Sequence, residues 1–248
     1  DVNQDVPIML GYTRRIRLYG TDNGLLGQVL TAVASNPQAE VYAGIWVDQN
    51  EKTYRGQLNT LLATARQMPT LFRRAVRVVS VGNEAVLTGM ADEATMIQRI
   101  KETRAALRAI GQQVPVTTVE PMNRYSSAIA DAVDVLFPTL HPYFDGVHID
   151  GAVNKVFQLM QMVRDRDSTG RKPLIIAEVG WPSSGKINNQ AQPSLANAQR
   201  FAHEFPSAAN ARSVDYFYFE AFDQSWKQPG SLGVEPYWGM LTEDRRTK

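Results

Sequence analysis

The sequence has no cysteine. Disulfides, thiolate metal sites and thiol catalysis are therefore excluded, although this fixes no compartment, since exported and cytosolic proteins alike can do without disulfides. Histidine is nearly as scarce, with three in 248 residues. No H-x-x-x-H spacing joins any two of them, so no zinc site, other metal or cofactor is expected. Charge of one sign is missing too. The 26 Lys and Arg face 25 Asp and Glu, a net charge of +1, which offers nucleic acid no broad basic surface and leaves no acidic tail. No apolar run nears the roughly 20 residues that cross a bilayer, so no membrane insertion is expected. Neither G-x-G-x-x-G nor a P-loop occurs, which removes the usual signature of a nucleotide-binding sheet. No Asn-x-Ser/Thr sequon is present, which speaks against a glycosylated secreted eukaryotic protein. The first residues, Asp1-Val2-Asn3-Gln4-Asp5, are not a signal peptide and include no initiator Met, so a longer parent chain is expected.

What is there suits a folded enzyme-sized domain. The hydrophobic fraction is 44% and the charged fraction 21%, enough to bury a substantial core. Short β-branched and aromatic runs alternate with amphipathic stretches. Strands are expected at 15–19, 41–47, 76–81, 114–119, 133–140, 174–179 and 214–222. Helices are expected at 25–34 with Asp22 as N-cap, at 54–68, from Asp92 to about Ile110, at 126–130, 152–164, and 194–205 with Ser194 as cap. Residues 1–12 read as a further helix. The alternation means an α/β fold with parallel strands buried on both faces. The class expected is a (β/α)8 TIM barrel forming one domain over residues 1–248. Seven strands are visible, so the first strand is expected to have preceded Asp1, leaving an open edge.

Active sites of such barrels lie at the C-terminal ends of the strands. The third visible strand ends in Gly82-Asn83-Glu84 and the sixth in Ala177-Glu178-Val179-Gly180-Trp181-Pro182. One strand-end glutamate is as readily a rim salt bridge as a catalyst. Two on one rim match retaining glycoside hydrolysis, in which one carboxyl protonates the leaving oxygen and the other attacks the anomeric carbon. The other strand ends supply aromatic and polar groups of the kind that bind sugars: Tyr19, Trp46, Glu120, His141, Tyr143, Phe144, Glu220 and Asp223, followed by Trp226, Lys227 and Glu235. Each has a plain structural reading as well. Trp46 or Phe144 can plug the barrel mouth, Tyr19 can be core, and a lone His141 is more often a hydrogen-bonded structural residue. Arg17, on a strand below the rim, is expected to orient Glu178.

At these motifs the sequence resembles glycoside hydrolase family 17, the β-1,3-glucanases and β-1,3-glucanosyltransferases of compact microbial type. The segments that carry the resemblance are Val81-Gly82-Asn83-Glu84 and Ala177-Glu178-Val179-Gly180-Trp181-Pro182-Ser183. They are joined by Ile16-Arg17-Leu18-Tyr19, Gly44-Ile45-Trp46, His141-Pro142-Tyr143-Phe144, Phe222-Asp223-Gln224-Ser225-Trp226-Lys227 and Tyr237-Trp238-Gly239. The resemblance implies a β-glucan substrate and retention of configuration, with Glu84 as acid/base and Glu178 as nucleophile. Asn83 would hold the sugar 2-hydroxyl, Tyr143 would bond Glu178, and Trp181 would brace the loop after Glu178. Glu120 and Trp226 would serve the acceptor, tilting the reaction towards transglycosylation, while Met122 stands where many relatives carry an aromatic. A monomer working outside the cell, in the wall or in the periplasm, is expected. The competing readings are a glucan-binding barrel without chemistry, a retaining glycosidase on another β-glycan, and a barrel acting on phosphorylated metabolites.

Overall fold

The structure is a computed structural model that describes residues 1–248. Its contacts divide the chain into two compact units, Asp1–Phe137 with Arg166–Pro173, and Pro138–Asp165 with Leu174–Lys248.

The first unit runs α1 (Val2–Leu10), β1 (Arg15–Arg17), α2 (Leu25–Ala32), β2 (Glu40–Ile45), α3 (Glu51–Gln67), α4 (Pro69–Ala75), β3 (Val76–Asn83), α5 (Glu93–Ala109), β4 (Val116–Val119) and α6 (Ser127–Ala132). The four strands pair in sequence order and in parallel, with Ile16 opposite Val41, Ala43 opposite Val79 and Ser80 opposite Thr117. Of the eight residues in β3, only Arg77 is exposed and Asn83 half-buried, as a strand covered on both faces requires. Helix α5 shows why its sequence folds as it does. Met96, Ile100, Thr103 and Leu107 are buried at alternating spacings of four and three. At its start the Asp92 carboxylate accepts from Thr95 N at 2.7 Å, a cap worth about 1 kcal/mol.

The second unit holds α7 (Ile149–Arg164), β5 (Ile175–Val179), α8 (Leu195–Ala211) and β6 (Asp215–Tyr218). β5 and β6 pair in parallel, with Ile176 opposite Tyr216 and Val179 opposite Tyr218. Phe201 and Phe205 stack on α8 with centroids 5.5 Å apart, and Phe157 of α7 lies 6.0 Å from Phe205.

Four expectations change. Asp22 does not cap α2, whose N-cap is Gly24; its carboxylate instead accepts from Gln57 Nε2 at 2.5 Å. Helix α4 is new, seven residues being too few to show a period, and Pro69 opens it with its φ already set for the first turn. α8 continues through Pro206 to Ala211, because Phe201, Phe205 and Ala209 keep one buried stripe at i, i+4 and i+8. Residues 133–140 do not form a regular strand. They are tied at separate points, by Asp134 N to Val116 O (3.0 Å), Leu136 N to Pro173 O (2.9 Å) and Leu140 N to Glu178 O (2.8 Å). Pro138 has no N–H to give a continuous ladder.

Candidate active site

In the first unit the end of β3 is set by two left-handed residues, Gly82 (φ 76°) and Glu84 (φ 53°). The positive φ is what favours glycine at Gly82; a Cβ there would stand 2.7 Å from Met96 Cε, a flexible side-chain end that can move aside. Glu84 carries a side chain in a conformation that costs about 1 kcal/mol or more. Its backbone is fixed on both sides: Glu84 N donates to Val119 O at 2.8 Å, and its carbonyl accepts from Thr88 N at 2.9 Å and Thr88 Oγ1 at 2.7 Å. Asn83 Oδ1 accepts from Arg17 Nη2 at 2.6 Å, which leaves the Asn83 amide N–H groups as its remaining donors. The Arg17 guanidinium lies 4.3 Å from the Tyr19 ring centre and 5.5 Å from that of Phe137. Trp46, just past β2, is 40% exposed.

Glu120 departs from expectation. It is fully buried, and both its oxygens are committed to backbone, Oε1 to Val86 N at 2.7 Å and Oε2 to Leu87 N at 3.1 Å. A carboxylate so enclosed is not open to an acceptor sugar. Burial pushes its pKa up to about 7 against these N–H bonds, and the Glu84 charge adds to the rise.

In the second unit Glu178 lies in β5 with its side chain 6% exposed, and His141 Nε2 stands 3.3 Å from its Oε2. The imidazole packs edge-on against Trp238, Phe219 and Phe144, with centroids 4.9, 5.3 and 6.0 Å away. Nδ1 is buried without a hydrogen-bond partner, and because an ionised carboxylate only accepts, Nε2 is the nitrogen that donates when Glu178 is charged. Tyr143 does not take the expected place on Glu178. It is fully buried and its hydroxyl donates to Lys186 O at 2.6 Å. Trp181 is 1% exposed and its Nε1 donates to Gln192 O at 3.0 Å, so it braces the loop after β5 from within.

Past β6, Glu220 is held by Lys227 Nζ at 2.9 and 3.1 Å and by Gln224 Nε2. Burial pushes its pKa up to about 7, Lys227 opposes the shift, and Glu178 and Asp223 add to it. Glu235 is also raised by burial, with Lys227 and His141 opposing and Glu178 adding. Asp223 Oδ1 is occupied by Gly239 N at 2.9 Å and Lys248 Nζ at 2.6 Å. Phe144 and Trp226 remain open, at 48% and 73% exposure. Sequence reasoning did not place Trp238 or Phe219 at this site. Trp238 is 2% exposed and forms the common wall of His141, Tyr143, Phe144 and Phe219. The motif Tyr237-Trp238-Gly239 was its signal: a Cβ on Gly239 would collide with the backbone of Phe222 and Asp223.

The comparisons with known proteins agree along the chain. The family model of the BtgE/BtgC glycoside hydrolase domain matches residues 1–239. The glucan endo-1,3-beta-glucosidase btgC of Emericella nidulans is 28% identical over 271 residues, covering 100% of this chain and 41% of that protein. A Saccharomyces cerevisiae protein named "Probable family 17 glucosidase SCW4" is 33% identical over 234 residues, covering 92% of this chain and 57% of that protein. The chain thus spans about two fifths of the length of the btgC relatives it matches. Among solved structures, the glycoside hydrolase family 17 beta-1,3-glucanosyltransferase from Rhizomucor miehei superposes with a TM-score of 0.85 at 26% identity, over 99% of this chain and 88% of that one. A pollen beta-1,3-glucanase of Cryptomeria japonica shares the fold at 18% identity and a TM-score of 0.77, over 99% of this chain and 92% of that one. The α/β fold is that of the (β/α)8 barrel enzymes, and the chain belongs to the BtgE/BtgC glycoside hydrolase domain family, within glycoside hydrolase family 17.

Proposed function

We propose that this chain is a retaining enzyme on β-1,3-glucan that transfers glucan chains to a second glucan or to water through a covalent glycosyl-enzyme. The observation that carries the reading is Glu178: a carboxylate 6% exposed, at the end of a buried strand, with the His141 N–H on one oxygen. That donor favours the charged form and fixes its direction, which is what a nucleophile needs. In the first step a Glu178 oxygen bonds to the anomeric carbon, the glycosidic C–O bond breaks, and Glu84 gives its proton to the leaving oxygen. In the second an acceptor hydroxyl bonds to the anomeric carbon, Glu84 takes its proton, and Glu178 leaves. The Asn83 amide N–H groups hold the 2-hydroxyl, and the Trp226 indole, 73% exposed, offers a platform for an acceptor sugar. Transfer is supported by that platform and by the likeness to the Rhizomucor glucanosyltransferase. Glu120, buried and bonded to backbone, no longer lends support.

The same proposal has the enzyme act as a monomer outside the cell, in the wall or in the periplasm, where glucan is met. No helix is long and apolar enough to cross a membrane.

Mass spectrometry of products from a single laminari-oligosaccharide tests the reaction. Products longer than the donor are expected, and shorter products alone overturn transfer. Glu178→Ala and Glu84→Gln should each lower turnover by at least about 1,000-fold. Full activity in either variant overturns the assignment of that residue.

A further inference from the structure

Glu120 is a carboxylate without solvent, directly after β4, and both its oxygens bond to the backbone of the turn that follows β3. That turn carries Glu84. We propose that Glu120 is a positioning residue: its carboxylate fastens the turn at Val86 and Leu87 and thereby sets the direction of the Glu84 carboxyl. The proposal rests on the reading of Glu84 as the acid/base.

Three observations lead there. The chain leaves β3 through a left-handed Glu84, a conformation that persists only where its surroundings over-determine it. The turn has little side-chain anchorage of its own, for Val86 is half-buried and Leu87, Thr88, Gly89 and Met90 are exposed. Polar ties hold it instead: Thr88 N and Oγ1 to Glu84 O, Met90 N and Ala91 N to Ala85 O, and the two bonds to Glu120. Of these, only the Glu120 bonds run from the turn beyond Glu84 to the neighbouring strand end. Burying a carboxylate is costly, and an apolar residue would fill the same space at less expense. The buried carboxyl is explained by its work as acceptor for two N–H groups that the turn otherwise leaves without partners.

The test separates positioning from plain support of the fold by the leaving group. A natural glucan linkage needs a proton from Glu84 to break. A 2,4-dinitrophenyl β-laminarioligoside does not, and its first-turnover burst also counts the folded, competent sites. Glu120→Gln replaces one acceptor oxygen by an NH2 group. It should lower kcat on laminari-oligosaccharide by about 10- to 100-fold with KM little changed, and leave the rate of the aryl burst within about threefold. Glu120→Asp, with its carboxylate drawn back by one methylene, should show the same split and serves if the Gln variant does not fold. Parallel losses on both substrates, or no loss on either, overturn the proposal. Glu84→Ala is the control for the reading beneath it and should show the same split with a larger loss on the glucan. If that variant loses both activities equally, the acid/base reading fails. If it shows the split and neither Glu120 variant does, only the positioning role fails.

Discussion

Glu220 sits with its side chain 12% exposed, and the one ammonium on it, Lys227, is 21% exposed. The lysine opposes a desolvation that has already pushed the carboxyl up to about 7. Removing it leaves a buried charge with only the neutral Gln224 amide as partner, which costs more than the intact pair is worth. Lys227→Met is therefore expected to lower unfolding free energy by about 2–4 kcal/mol at pH 8. At pH 5, where Glu220 carries its proton and needs no partner, the loss should be much smaller. Urea denaturation of both proteins at the two pH values measures this, and an equal loss at both would contradict it. The two proposed catalytic glutamates were legible in the sequence because each is an ionisable residue at the end of a buried apolar run. Glu120 gave the same signal and faces inward. Position at a strand end says that a side chain is near the rim, and only the bonds it makes say whether it faces the ligand. Tyr143 repeats the lesson, its hydroxyl being spent on Lys186 O. Trp238 escaped because it lies outside any predicted strand, far along the chain from the His141 that it walls.

The elements meet closely where glycine stands. A Cβ on Gly44 of β2 would collide with the backbone of Leu18 and Tyr19, and one on Gly180 with the carbonyl of Phe219. Backbone atoms cannot swing aside as a flexible side-chain end can. Gly56, inside α3, meets nothing within 4 Å, and there alanine should restrict the unfolded chain and favour the helix. Opposite signs are expected. Gly44→Ala should destabilise by about 2–3 kcal/mol or more, a fall in Tm of roughly 5 °C or beyond at this size. Gly56→Ala should stabilise by about 0.5–1 kcal/mol. Thermal melts of the two variants side by side test both, and a neutral Gly44→Ala would mean that β1 and β2 yield where the packing says they cannot. Element type was readable wherever a period could show itself, as in α5 with its capping Asp92 or in the valines of β3. It failed where periodicity has no room, in seven-residue α4, and where a proline decides the bonding, at Pro138. Asp22 failed differently: the residue type for a cap was there, but Gln57 of α3 offered its carboxylate a tertiary partner.

Each of the two units contains one carboxyl that burial raises to about 7, Glu120 in the first and Glu220 in the second, and the pair sets an expectation for the whole chain. In the unfolded chain both titrate near the ordinary glutamate value of 4.5. Between that value and 7 the folded protein binds more protons than the unfolded one, so stability falls as pH rises through this window. Each group can remove up to about 3 kcal/mol by pH 7 if it moves through the full interval. Exposed carboxyls pull the other way at lower pH. Hydrogen bonding from Arg99 holds Glu51 below its usual range, and hydrogen bonding from Thr95 does so for Asp92; their contributions are lost as pH falls below about 4. The expected stability maximum therefore lies in mildly acidic solution, at about pH 4.5–5.5, and not at neutrality. Unfolding free energy measured by urea titration from pH 4 to pH 8 should decline above pH 5. Glu120→Gln and Glu220→Gln should each flatten that decline, and the double variant should flatten it further, because groups without shared partners contribute additively. A profile that climbs from pH 5 to pH 7 would mean that water or structural relaxation reaches these carboxyls and ionises them cheaply within the folded protein.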